Sequence, residues 1–229
     1  MDWLLFREPF NSWSHGVWTV LAVPATAVLW RLSRGDRPKQ WSFLLFGISM
    51  ILCFGSSALY HGVRLPPEAV DWFEKLDFIG VYLLIAGTVI PVCVVVLRGR
   101  WRWVILVSVC SFAAAGIALR ITPVPMSRLL STSLYIGLGW ICACAYFELA
   151  KQLSHRAVSL ALLGGILYTA GAILNFFDWP VLWPGVFSSH ELWHLFVMAA
   201  SLCFYCLMLK VLVPFKRGSD SRDGNTGGH

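Results

Sequence analysis

Charge is what this chain has least of. Asp, Glu, Lys and Arg make up 13% of its 229 residues, against about 25% in soluble domains. Acidic residues number only 12. That scarcity excludes an ordinary soluble domain. No basic run interleaved with exposed aromatics occurs, so a nucleic-acid partner is excluded, and the formal charge of +6 fits loops facing anionic lipid. The opening MDWLLFREPF has neither the basic n-region nor the small-residue cleavage site of a signal peptide, so the first apolar segment is expected to be retained. The seven cysteines are scattered, mostly inside apolar segments. Even Cys203-x-x-Cys206 falls in mid-helix, where thiols act as small hydrophobes. No amphipathic strand pattern supports a pore-forming barrel.

What the chain does have is apolar length. Hydrophobic residues account for 58% of it, and about 20 apolar residues suffice to cross the hydrocarbon. Seven segments qualify, at about 14–33, 40–61, 74–97, 101–120, 128–150, 157–176 and 187–213. The expected fold is an all-α membrane protein, a seven-transmembrane helix bundle filling residues 1–215, with a polar, disordered tail at 216–229. Pro24 and Pro91 fall inside spans, and Trp3, Leu4, Leu5, Phe6 and Phe10 predict a short interfacial segment ahead of the first. His155 and His229 are read as solvated. Alternation of the spans puts Arg7, Arg64, Lys75, Arg120 and Arg128 on the N-terminal side and leaves thirteen of the 18 cations on the other. The positive-inside rule then predicts an outside N-terminus and a cytoplasmic C-terminus, as expected in a bacterial inner membrane.

Polar side chains in this oily setting are costly and therefore informative. His190 and His194 are four residues apart at the entrance of the last span, so a helix stacks both rings on one face. Ser57 and His61 end the second span with the same spacing, and Asp77 lies near the start of the third. Glu8, Asn11 and His15 lead into the first. Odd spans start, and even spans end, on the N-terminal side, so all these groups share one depth in the membrane. Three histidines and a water make a tetrahedral zinc site with an open position. His61, His190 and His194 are the candidate Zn2+ ligands, Asp77 the candidate proton acceptor, and Ser57 a hydrogen-bond donor to water or substrate. The competing reading makes the same histidines interfacial residues bonded to loops or headgroups.

Several residues support two roles. His190-Glu191-Leu192-Trp193-His194 matches H-E-x-x-H, in which Glu activates a zinc water, while Ser188-x-x-Glu191 is a capping box. Asp71-x-x-Glu74 predicts the start of the third helix, with Asp77 about a turn and a half inside it. Glu8 and Asn11 are candidate caps of the first helix, with His15 bonded to either, or outer partners of the metal site. Asn175 and Asp178 are expected to close the sixth.

The motifs together resemble a known family. Glu8-Pro9-Phe10-Asn11-Ser12-Trp13-Ser14-His15-Gly16, Ser57-Ala58-Leu59-Tyr60-His61, Leu76-Asp77 followed by Leu83–Thr88, and His190–His194 followed by Leu195-Phe196 are similar to the four signatures of the bacterial hemolysin III family, in the family's order and across essentially the whole chain. The resemblance implies a relative of the progestin and adiponectin receptors, with zinc held by His61, His190 and His194, Asp77 bonding the zinc water and Ser57 beside it. It also implies kinship with alkaline ceramidases and metal-dependent lipid amide hydrolysis. The family's name comes from cytolysis, and a part in membrane homeostasis has been suggested. Phe78 departs from the polar residue many relatives place after the aspartate, and the receptors' cytoplasmic N-terminus is opposite to the orientation that charge predicts here. The expected activity is zinc-dependent hydrolysis of a lipid amide or ester, with membrane lipids as partners. The alternatives are a sensor or receptor with structural zinc, and an intramembrane metalloprotease.

Overall fold

In the computed structural model, which describes residues 6–122 and 126–216, the chain is nearly all helix. The order is α1 (Pro9–Leu32), α2 (Arg37–Gly62), α3 (Pro67–Val95), α4 (Gly99–Ile121), α5 (Arg128–Trp140), a 3-10 segment (Ile141–Ala145), the short α6 (Tyr146–Ala150), α7 (His155–Phe176) and α8 (Ser189–Leu207), which ends in a π turn (Met208–Leu212). Among the described residues, six stretches are long and apolar enough to cross a membrane: α2, α3, α4, α5 through α6, α7, and α8 with its π turn. The first predicted span, α1, has 24 residues and completes the bundle against α2 and α8. Its buried residues include Asn11, Ser12, His15 and Thr26. Of the tail expected at 216–229, residues 217–229 lie outside the described residues, as do Trp3, Leu4 and Leu5 of the expected interfacial segment.

Local sequence sets the helix ends. Asp36 accepts from the Lys39 amide, Ser154 from that of Ala157, and Ser188 forms the predicted capping box with Glu191. Helix α3 starts earlier than the Asp71-x-x-Glu74 pattern predicts. Pro66 is its N-cap and Pro67 occupies the first turn, where a fixed φ and a missing N–H are no handicap. Asp71 therefore lies inside the helix, and Asp77 sits about three turns in rather than one and a half. Asn175 lies in the last turn of α7, where its carbonyl accepts from the amides of Phe177 and Asp178. The chain turns after Phe177, at Asp178, whose φ of 51° is the left-handed conformation Asp tolerates better than most residues. The helices continue through Pro24 and Pro91.

Side chains pointing outward are apolar, as a lipid-facing surface requires. Val20, Leu21, Ile166 and Phe147 are exposed, and exposed tryptophans (Trp13, Trp72, Trp179 and Trp183 toward one end, Trp41, Trp101 and Trp103 toward the other) mark the two interfaces. The core is packed by Phe43, Phe46, Phe54, Leu84 and Met208 between α2, α3 and α8. At Gly80 a Cβ would come within 2.7 Å of the Cys53 backbone, so this glycine is what lets α3, carrying Asp77, approach α2, carrying Ser57 and His61. All seven cysteines are free.

Candidate metal centre

The histidines from α2 and α8 meet. His61, His190 and His194 each offer one ring nitrogen, and these atoms lie within 4.8 Å of one another. His61 and His194 are buried and His190 nearly so. The centre forms part of the wall of a cavity of about 660 Å3, which Ser57, Asp77, Arg120, Ser131 and Tyr135 also line. Asp77 Oδ2 stands 4.0 Å from His61 Nε2, and the Ser57 hydroxyl lies within hydrogen-bonding reach of the Asp77 carboxylate. The structure thus brings together His61, His190, His194, Asp77 and Ser57, five of the residues that sequence places at one depth.

What surrounds the rings tells which atoms face inward. His61 Nδ1 donates to Glu8 Oε2 at 2.6 Å, and His190 Nδ1 to Asn175 Oδ1 at 3.2 Å. With Nδ1 protonated in both rings, each Nε2 carries a lone pair, and the two Nε2 atoms face each other at 3.4 Å. Two lone pairs so placed repel unless a cation or proton lies between them. The outer bonds to a carboxylate and an amide are the arrangement that orients imidazole toward a metal. The donor set therefore fits a metal ion on the chemistry of its own hydrogen bonds.

The N-terminal end of α1 supplies the outer partners. Main-chain bonds from Glu8 N to His61 O (2.9 Å) and from Arg7 N to Gly62 O (3.4 Å) fasten it to the end of α2. Arg7 also donates to Tyr60 O at 2.7 Å. Glu8 is the N-cap residue of α1, but its side chain makes no cap bond. It accepts instead from His61 and, at 3.1 Å, from Asn11 Nδ2. Burial alone would raise the Glu8 carboxyl, but His61, Asn11 and Arg7 outweigh it and hold it at about 2, so it is a carboxylate. Asn11 also donates to Glu191 Oε1 at 2.9 Å, and Glu191 Oε2 accepts from the Ser188 amide and hydroxyl. Both oxygens of Glu191 are thus taken by the helix cap and α1. His15 bonds neither Glu8 nor Asn11, contrary to the sequence expectation, because its ring is stacked on that of His194 at 3.8 Å and edged by Phe54.

Asn175 is a site residue that sequence reasoning assigns only to a helix end. Its signal is its level, near the end of an even-numbered span on the same side as the histidines. Glu8→Gln is expected to keep the fold but to weaken metal binding by about ten- to a hundredfold, since the amide replaces a charged acceptor of the His61 N–H. Titration of the purified variant against a metal-buffered chelator measures this, and wild-type affinity would remove Glu8 from the site.

Comparison with known proteins adds identity to geometry. Residues 3–205 match the family described as haemolysin-III related. This chain belongs to that family. Hemolysin-3 of Bacillus cereus is 36% identical over 209 residues, covering 90% of this chain and 92% of the relative. The Hemolysin-3 homolog of Bacillus subtilis is 35% identical over 213 residues, 91% of this chain and 97% of that one. More distantly, an adiponectin receptor protein of Drosophila melanogaster is 26% identical over 230 residues, which are 86% of this chain and 49% of the receptor. The chain is a multi-pass membrane protein of the hemolysin III family, related to the adiponectin and progestin receptors.

Proposed function

We propose that this protein is a zinc-dependent hydrolase that cleaves the amide or ester bond of a lipid inside the bilayer. The observation that carries this reading is the buried trio of histidine nitrogens on the wall of the cavity, with a carboxylate 4.0 Å from one of them. His61, His190 and His194 would hold the ion, three neutral nitrogens with room for a further ligand, which is the donor set of a hydrolytic zinc site. Zinc held there supplies Lewis acidity toward a carbonyl and a water.

The protein's own groups do the rest. Asp77 takes a proton from the attacking water on Oδ2 as the carbon–oxygen bond forms, and returns it to the leaving nitrogen or oxygen as the scissile bond breaks. The Ser57 hydroxyl donates to the oxygen on which negative charge develops. Glu8 and Asn175 hold the His61 and His190 rings in plane from outside. The apolar helices leave the acyl chain in contact with lipid-like surface throughout.

A panel of lipid amides and esters presented to the purified protein in nanodiscs tests this, with released fatty acid as the readout. Protein holding stoichiometric zinc that turns over nothing in the panel would overturn the hydrolase. The similarity to an adiponectin receptor favours the second reading, a sensor whose metal is structural and couples α2 to α8. We further infer an outside N-terminus from the cation bias. A green fluorescent reporter fused after His229 should then fluoresce in cells, and a dark reporter beside active periplasmic phosphatase fused at the same point would reverse the orientation.

A further inference from the structure

Helix α1 offers the metal centre no ligand, yet it is joined to both helices that do. Helix α2 packs mainly on α1 and α3, and α8 mainly on α7. At the level of the histidines α1 bonds to α2 and α8 alike. Its ties to α2 are the main-chain bonds at Arg7 and Glu8, the Glu8–His61 bond, and a bond from Ser12 Oγ to Ala58 O at 2.9 Å. Its ties to α8 form a ladder between two helices that run the same way. Asn11 bonds Glu191, His15 stacks on His194, and one turn further Trp18 Nε1 donates to Ser201 Oγ at 3.0 Å.

Asn11 and His15 stand a turn apart on one face of α1. Asn11 is fully buried, and its amide nitrogen donates to Glu8 Oε2 at 3.1 Å and to Glu191 Oε1 at 2.9 Å. Turned the other way, the amide would set its oxygen against two carboxylate oxygens, so its orientation is fixed. One side chain thereby ties the acceptor of the His61 N–H to the capping box that starts α8. His15, 3% exposed, covers a face of the His194 ring, with centroids 3.8 Å apart, and Phe54 of α2 meets its edge at 5.0 Å. It also lies beside the His194 main chain, without a hydrogen bond of good geometry from either nitrogen among the described residues. His61 and His190 are aimed by bonds to Glu8 and Asn175, whereas His194 Nδ1 has no hydrogen-bond partner among the described residues. Packing must therefore limit the turning of the His194 ring, and the stacked His15 ring supplies that packing.

We infer that α1 is the clasp of the metal centre, with Asn11 and His15 as positioning residues that set the His61 ring against those of His190 and His194. This rests on the reading that the three rings hold a metal ion. Without Asn11, two carboxylates face each other with no donor between them, and their repulsion pushes the ends of α2 and α8 apart. Without the His15 ring, His194 is free to turn. Either change loosens the geometry around the ion and removes no ligand.

Cobalt is the probe, since its visible bands report the arrangement of its ligands. Metal-free full-length protein in dodecyl maltoside is titrated with Co2+ through a metal buffer, and its unfolding is followed alongside. Asn11→Leu and His15→Ala should each weaken Co2+ binding about ten- to a hundredfold and alter the visible bands of the loaded site. His15→Phe, which restores a ring against His194, should recover affinity and bands. Wild-type affinity and bands in both Asn11→Leu and His15→Ala overturn the clasp. So does a His15→Phe variant as weak as His15→Ala, because the stack would then not be what holds His194. A merely structural part for α1 would lower the unfolding midpoint and leave the bands of the folded fraction unchanged, which overturns it as well. Should Asn11→Leu fail to fold, the two His15 variants carry the test. Wild-type protein that binds no cobalt would sink the metal centre and the clasp together. Binding that follows these expectations in a protein that hydrolyses no lipid would sink the hydrolase and leave the clasp standing.

Discussion

Replacing His194 by alanine is expected to abolish metal binding. Wild-type protein purified without chelators should carry about one zinc per chain by mass spectrometry, and His194→Ala close to none. The size of the effect follows from the geometry. The three ring nitrogens lie within 4.8 Å of one another, and removing one leaves only two protein ligands for an ion that takes three in catalytic sites. The nearby group able to take its place is Asp77, whose Oδ2 is 4.0 Å from His61 Nε2, and the double variant His194→Ala/Asp77→Asn removes that substitute. The His15 ring stacks on that of His194, with centroids 3.8 Å apart, but its nitrogens are not part of the group that lies within 4.8 Å. The other neighbouring carboxylates are engaged, Glu8 by His61 and Asn11, Glu191 by Ser188 and Asn11. Full metal content in the double variant would mean that these histidines bind no ion, and the hydrolase and the structural-zinc sensor would fall together.

The histidine cluster was legible in the sequence because two rules converged on it. Helical spacing put His190 beside His194 and Ser57 beside His61, and alternation of spans put α2, α3 and α8 residues at one depth. Those rules cover positions along a helix axis and say nothing of which neighbours touch. The pairing of Glu8 with His61 depends on main-chain bonds between the start of α1 and the end of α2, which no local pattern announces. Asn175 looked like a helix terminator because polar residues at a span's end commonly are; tertiary contact with His190 gave it another use. The Asp71-x-x-Glu74 pattern resembles a cap but falls inside α3, which starts at Pro67, a residue suited to a helix's first turn. The switch to 3-10 geometry at Ile141–Ala145 falls inside an apolar run whose composition is the same for either helix.

Asp77→Asn is expected to separate chemistry from metal binding. Asp77 Oδ2 lies 4.0 Å from His61 Nε2, beyond direct bonding but close enough to share a single water with an ion held by the histidines. Asparagine fills the same space and can still bond to Ser57 and to that water, so the helices keep their places and the ion its three nitrogens. It cannot take the proton, since an amide oxygen is far less basic than a carboxylate. General base catalysis contributes about a hundredfold to ten-thousandfold, and hydrolysis of any substrate found in the lipid panel should drop by that factor, at unchanged zinc content and with little change in KM. Among the described residues the carboxylate has no close ion pair to lose: its one such contact within 4.0 Å is to His61 Nε2. A sensor with structural zinc predicts the opposite, wild-type signalling in Asp77→Asn. If the variant instead lost zinc, Asp77 would be holding the ion, and the assignment of proton transfer to this residue would have to be abandoned.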